Sequence, residues 1–177
     1  WRSLKHIHET GLRVTEAKIC AQVQEIFEQD WSFAGLLEAG KTLPPLKKEA
    51  SDAPAAGGAA YLLSSPPTIL PKDVIPSEKE IVRLIGGAKK EIRAQVLDYS
   101  TQHRDRSPYD TIDKALRAAA ARGVHVKLMV SHWSTEKPAI DALKEISRLP
   151  NVEVRIVTIP RAKEGAIPFA RVNHSKI

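Results

Sequence analysis

A chain of 177 residues is long enough for one domain with a real core, and its 42% hydrophobic and 27% charged residues are the composition of an ordinary globular protein. No apolar run approaches the roughly 20 residues a membrane-spanning helix needs, and the single cysteine, Cys20, excludes an intrachain disulfide and a cysteine-rich zinc cluster. A formal net charge of +6 favours anionic partners, such as nucleic acid or lipid head groups, over cationic ones.

Residues 9–15 predict a short strand after a turn, and residues 16–30 a helix, with Ile19, Val23, Ile26 and Phe27 at helical spacing. Trp31 and Phe33 are expected to pack the end of that helix onto a core, with Cys20 as a small buried residue within it. Residues 39–58 mix Gly40, Pro44, Pro45, Pro54, Gly57 and Gly58 with Ala, Lys and Ser, the composition of a linker. Residues 61–67 (Tyr61 to Pro67) read as a short edge strand ended by two prolines.

From Ser77 the pattern becomes regular. Ser77 and Glu80 match a capping box, and Ile81, Leu84, Ile85 and Ala88 fall on one helical face. Residues 92–98 predict a buried strand with a polar exit, and Asp110 to Arg122 a helix stopped by Gly123. Residues 124–130 alternate as a strand does. Pro138 suits the first turn of a helix that turns Ile140, Leu143 and Ile146 inward. Residues 152–159 and 169–177 predict two more strands.

Strand, helix, strand, helix, strand in this order predicts an α/β unit with parallel pairing. Sites in such sheets form beyond the carboxyl ends of the strands. Asp98-Tyr99, Ser131-His132-Trp133 and the stretch after Ile159 fall there.

The stretch richest in chemistry is Ala170-Arg171-Val172-Asn173-His174-Ser175-Lys176. On an extended chain His174 and Lys176 project to the same side. An imidazole can attack phosphorus or protonate a leaving oxygen, and an ammonium beside it neutralises non-bridging oxygens. The pair needs no metal and no cofactor. On its own a His-x-Lys pattern is short, and an exposed polar strand end carries it equally well.

Several other groups invite a reading. Trp133 after a strand offers a face on which a base or sugar can stack, or simply packs. His103, Arg104 and Arg106 make either a phosphate-binding rim or a solvated loop. His6 and His8 lack a third ligand near them in sequence, which speaks against a metal site. Asn173-His174-Ser175 matches the N-glycosylation pattern, and is read as coincidence because a glycan there would sit on the His-x-Lys pair.

The residues Phe169 to Lys176 resemble the second His-x-Lys motif of the phospholipase D superfamily, and within it the group of phospholipase D-like lysosomal 5′ exonucleases. The resemblance continues upstream in matching order. Trp1-Arg2-Ser3-Leu4 is similar to the segment after the first motif of that group. Glu9-Thr10-Gly11 and Ile26 to Trp31 resemble its next strand and helix. Leu63 to Pro67, Ser131-His132-Trp133 and Ile167 to Arg171 resemble its later turns and strand ends.

The resemblance implies an α/β fold with a mixed or parallel sheet flanked by helices, the second lobe incomplete. Residues 1–38 would end the first lobe, 39–59 would link, and 60–177 would form the second lobe, truncated inside its motif. It implies phosphodiester hydrolysis through a phosphohistidine intermediate, with His174 as general acid and Lys176 on the phosphate oxygens. Asn173, Arg171 and Trp133 are the expected substrate contacts. Single-stranded nucleic acid is the expected substrate. A phospholipid is the alternative, and a catalytically silent phosphate- or nucleic-acid-binding module a third reading. The partner implied is the missing first lobe, with a homodimer as a further option, and a chain with half the site should be inactive alone. The compartment implied is lysosomal, endoplasmic-reticulum luminal or secreted, though no targeting signal is present in the sequence.

Overall fold

The computed structural model describes residues 7–46, 60–165, 167–168 and 170–175. Two compact units emerge: residues 12–83 form one, and residues 1–11 with 84–177 form the other.

The first unit is organised by helix α1, Ala17–Glu38, longer than the sequence pattern predicts. Its inward face is Ile19, Gln22, Ile26, Gln29, Phe33 and Leu36, a repeat of three and four residues. Two glutamines on that face keep it from being wholly apolar. Each has a backbone acceptor: Gln22 Nε2 donates to the carbonyl of Asp73 at 2.6 Å, and Gln29 Nε2 to that of Ile69. The expected stripe runs on the other side. Val23, Phe27 and Trp31 are exposed, Trp31 by 70%, and the rings of Phe27 and Trp31 stack on each other at 5.9 Å. Cys20 is also exposed, its Sγ 3.7 Å from the carbonyl of Val14. The expectations of a packed Trp31 and a buried Cys20 are therefore overturned. Once Gln22 and Gln29 take the inward positions, the helical period turns residues 20, 23, 27 and 31 outward.

The rest of this unit is a small parallel pair, β1 (Leu63–Ser64) and β2 (Ile75–Pro76), with a 3₁₀ turn at Pro67–Ile69. Helix α2, Ser77–Gly87, starts directly from β2, and its residues from Leu84 onward belong to the second unit. Glu80 does not serve as the far half of a capping box. Its buried carboxylate accepts from Tyr61 Oη at 2.6 Å and from Arg83 Nε at 2.6 Å. The Arg83 guanidinium, first, and the Tyr61 hydroxyl, second, hold that carboxyl down at about 2.

The second unit is a three-stranded parallel sheet in the order β3 (Glu91–Val96), β4 (His125–Ser131), β5 (Val152–Val157). Helix α3 is Thr111–Ala121 and helix α4 is Ala139–Ile146. Alternation sorts the strands into two faces. Val126, Leu128, Val130 and Val152 form the core with Ile85 of α2, Leu116, Ala119 and Ala120 of α3, and Leu143 and Ile146 of α4. The opposite face carries Glu91, Arg93, Gln95, Lys127, Met129, Glu153 and Arg155, in register across the strands. There Glu91 accepts ion pairs from Lys127 and Arg93, each at 2.8 Å. The α/β class and the parallel pairing are as the pattern predicts. Gly123, at φ 87°, closes α3 in the left-handed conformation that lets Val124 N reach the carbonyl of Ala119 at 3.1 Å.

Two predicted strands are not strands. Residues 9–15 are irregular, and in the final stretch the described residues 170–175 hold one parallel bridge, between His8 and Asn173. The linker reading at 39–58 falls on irregular chain up to residue 46; residues 47–59 lie outside the described residues.

Candidate functional site

The bridge at Asn173 is what builds the site. His8 N donates to the carbonyl of Val172 at 3.0 Å, and His174 N donates to the carbonyl of His8 at 2.8 Å. This pairing brings Glu9 against His174, with His174 Nδ1 3.1 Å from Glu9 Oε1 and the imidazole 44% accessible. A carboxylate oxygen can only accept, so the proton on this edge belongs to Nδ1.

The residues flanking His174 are buried. Asn173 is fully enclosed, and its Oδ1 accepts from Gln95 Nε2 on β3 at 2.8 Å. Its Nδ2 has no acceptor among the described residues. Ser175 is 3% exposed, with its Oγ 3.1 Å from Thr10 Oγ1. Alternation along an extended chain puts Asn173 and Ser175 on the side opposite His174. Burial also removes Asn173 as a glycan acceptor in the folded chain, in keeping with a coincidental sequence match. Arg171 stands at φ 61°, a conformation that costs a non-glycine residue about 1 kcal/mol. Its Nε is buried with no acceptor among the described residues.

Trp133 is held by a different element, the 3₁₀ turn His132–Thr135 that follows β4. The turn is pinned from within by buried Ser134. Its Oγ donates to Asp98 Oδ1 at 3.1 Å and accepts from Tyr99 N at 3.2 Å, which ties the exits of β3 and β4 together. Trp133 is left 39% exposed at the carboxyl edge of the sheet. Behind it the Tyr99 hydroxyl donates to Asp113, and burial, first, with that carboxylate, second, pushes the phenol above its ordinary range. Residues 102–108 close on themselves. Gln102 bridges Pro108, His103 N reaches the carbonyl of Ser107 at 2.9 Å, and the His103 ring lies 4.8 Å from that of Tyr109. Arg104 and Arg106 stay exposed on this loop. Lys176 lies outside the described residues, and no group of three or more metal-ligating side chains occurs among those described.

Comparison with known proteins points to the family. The chain is 32% identical over 201 aligned positions to the 5′-3′ exonuclease PLD3 of Xenopus laevis, covering 99% of the chain and 40% of that protein. It is 31% identical to the 5′-3′ exonuclease PLD4 of Mus musculus, over 99% of the chain and 39% of that protein. Across almost its whole length the chain is similar to the phospholipase D-like exonucleases. Phospholipase D Z of Dictyostelium discoideum is 32% identical, over 99% of the chain and 46% of its own length. Among solved structures, NucT from Helicobacter pylori matches 55% of each chain at 20% identity, with a TM-score of 0.43. No family model matches the chain. The chain thus spans less than half the length of the curated relatives it matches.

Within this group the structure adds two residues that sequence reasoning did not single out. Glu9 falls in the predicted strand 9–15, and Gln95 lies within the predicted buried strand 92–98. Each becomes visible through a contact of long sequence separation, His8 with Asn173 and Gln95 with Asn173, which no local pattern encodes. The one sequence signal was polarity: Gln95 interrupts an otherwise apolar run toward Val96 and Leu97.

Proposed function

We propose that this chain carries half of a phosphodiesterase site, and that the full-length protein hydrolyses phosphodiesters of single-stranded nucleic acid. The observation that carries the reading is the Glu9–His174 pair. It supplies a solvent-accessible imidazole whose Nδ1 is directed at a carboxylate, on a segment that resembles the second motif of the group. In this reading residues 1–38 close the first lobe, 39–59 link, and 60–177 form the second.

A histidine of the first motif attacks phosphorus. The bond to the leaving oxygen breaks, and His174, entering this step as the imidazolium, gives that oxygen the proton from Nε2 and is left neutral with its proton on Nδ1. Water then attacks the phosphohistidine and yields a proton back to His174, releasing the phosphate product. Glu9 stabilises the imidazolium at the protonated stages and holds the ring in place. Lys176, two residues on, carries the charge of the non-bridging oxygens. Arg171 brings a further cation to the same segment. Trp133 offers a face for a base, and its rigid turn keeps the cost of ordering low. Asn173, turned away from His174, serves the site from behind and not as a phosphate contact.

The test uses the full-length protein in EDTA, measuring nucleotide release from single-stranded DNA and head-group release from phosphatidylcholine vesicles in parallel. Release from DNA supports the proposal. Release from vesicles alone assigns the phospholipid reading, which the name of the Dictyostelium relative favours. Release from neither leaves a silent binding module.

A further inference from the structure

His174 is held by its neighbours. Both flanking side chains, Asn173 and Ser175, are buried, and each is tied across the chain by a side-chain hydrogen bond. Gln95 Nε2 holds Asn173 Oδ1 at 2.8 Å, and Thr10 Oγ1 meets Ser175 Oγ at 3.1 Å. Between them the backbone N–H of His174 is fixed on His8 at 2.8 Å. The imidazole itself remains exposed. Two features of this segment work against stability. The Asn173 amide buries a donor with no acceptor among the described residues, and Arg171 adopts a left-handed backbone. An unsatisfied buried donor costs about 1–3 kcal/mol. Strain of this kind persists where the surrounding contacts over-determine a local geometry.

We propose that Gln95 and Thr10 are positioning residues for His174, acting through Asn173 and Ser175 to fix the direction of its imidazole. The proposal rests on the phosphodiesterase reading for its kinetic consequence, but not for its structural one. Gln95 reaches Asn173 from β3, which is paired along its length with the central strand β4, so the rigidity of the sheet is passed to the segment. Gln95 meets the segment through Asn173, which is fully buried and lies on the side opposite His174. Its effect therefore falls on turnover and not on substrate capture.

The test compares the full-length protein with Gln95→Leu, Thr10→Val and Thr10→Ser. Thr10 is exposed, so its variants fold. Two readouts are taken: kcat and KM on single-stranded DNA, and the imidazole resonances of His174 in histidine-labelled protein. Misplacing a reacting group by about 1 Å costs up to about a hundredfold. Gln95→Leu and Thr10→Val should lower kcat by about tenfold or more with KM changed by less than about twofold, and should displace the His174 resonances. Thr10→Ser, which keeps the hydroxyl, should restore both. An unmoved His174 spectrum in both Gln95→Leu and Thr10→Val overturns the proposal, whatever the turnover. A displaced spectrum in a protein whose wild type cleaves no phosphodiester upholds the positioning and removes the functional reading instead.

Discussion

At the scale of single residues, the account turns on what each polar side chain is spent on. Glu9 is spent on His174, so Glu9→Gln should lower kcat by roughly tenfold or more while leaving the fold intact, because an amide can present its donor to Nδ1 and favour the wrong tautomer. Steady-state kinetics with a thermal melt as control checks this. Glu80 is spent on Arg83 and Tyr61. Its folded pKa is depressed to about 2 from an ordinary 4.5. Stability from this carboxylate is therefore present above about pH 4.5 and lost as pH falls from there toward 2. Glu80→Gln should flatten that part of the acid unfolding curve and cost about 1–3 kcal/mol at neutral pH, measured by denaturant titration. The site was partly legible at this scale. His174 was found because a histidine beside a lysine in an extended segment has a chemical meaning of its own. Glu9 and Gln95 were not, because their meaning comes from partners 165 and 78 positions away, Glu9 through the bridged His174 and Gln95 through Asn173.

At the scale of elements, periodicity read the second unit well and the first less well. In β4 the alternation of Val126, Leu128 and Val130 with His125, Lys127 and Met129 has one solution, and the sheet adopts it. Leu143→Ala in α4 should then cost about 2–5 kcal/mol, since that side chain is 2% exposed within the main core. Chemical denaturation measures it. In α1 two apolar stripes compete, and the sequence does not say which is inward. Gln22 and Gln29 decide it by finding carbonyls at residues 73 and 69, a pairing invisible to a pattern of hydrophobicity. Phe27→Ala and Trp31→Ala should accordingly cost the chain less than about 1 kcal/mol each, far below the usual cost of a buried aromatic. The turn at His132–Thr135 is a third case. Ser134→Ala should loosen the link between β3 and β4 and raise KM for nucleic acid through Trp133, with a smaller change in kcat.

At the scale of the whole molecule, a formal charge of +6 and coverage of about 40% of the length of its relatives set the terms. A basic protein acting on a polyanion should lose affinity as salt rises, so KM on single-stranded DNA should climb steeply between low and physiological ionic strength. The fold class was legible from the order of elements, and the family from the residues around His174. The division into units at residues 11 and 83 was not, because it depends on how segments far apart in sequence associate. The central claim is that His174 gives and takes the proton in phosphodiester cleavage. The most direct measurement is the rate of nucleotide release from single-stranded DNA in EDTA by the full-length protein and its His174→Ala variant. General acid–base catalysis contributes about a hundred- to ten-thousandfold, so the variant should be slower by at least about a hundredfold with its melting temperature unchanged. A variant that keeps the wild-type rate would contradict the account.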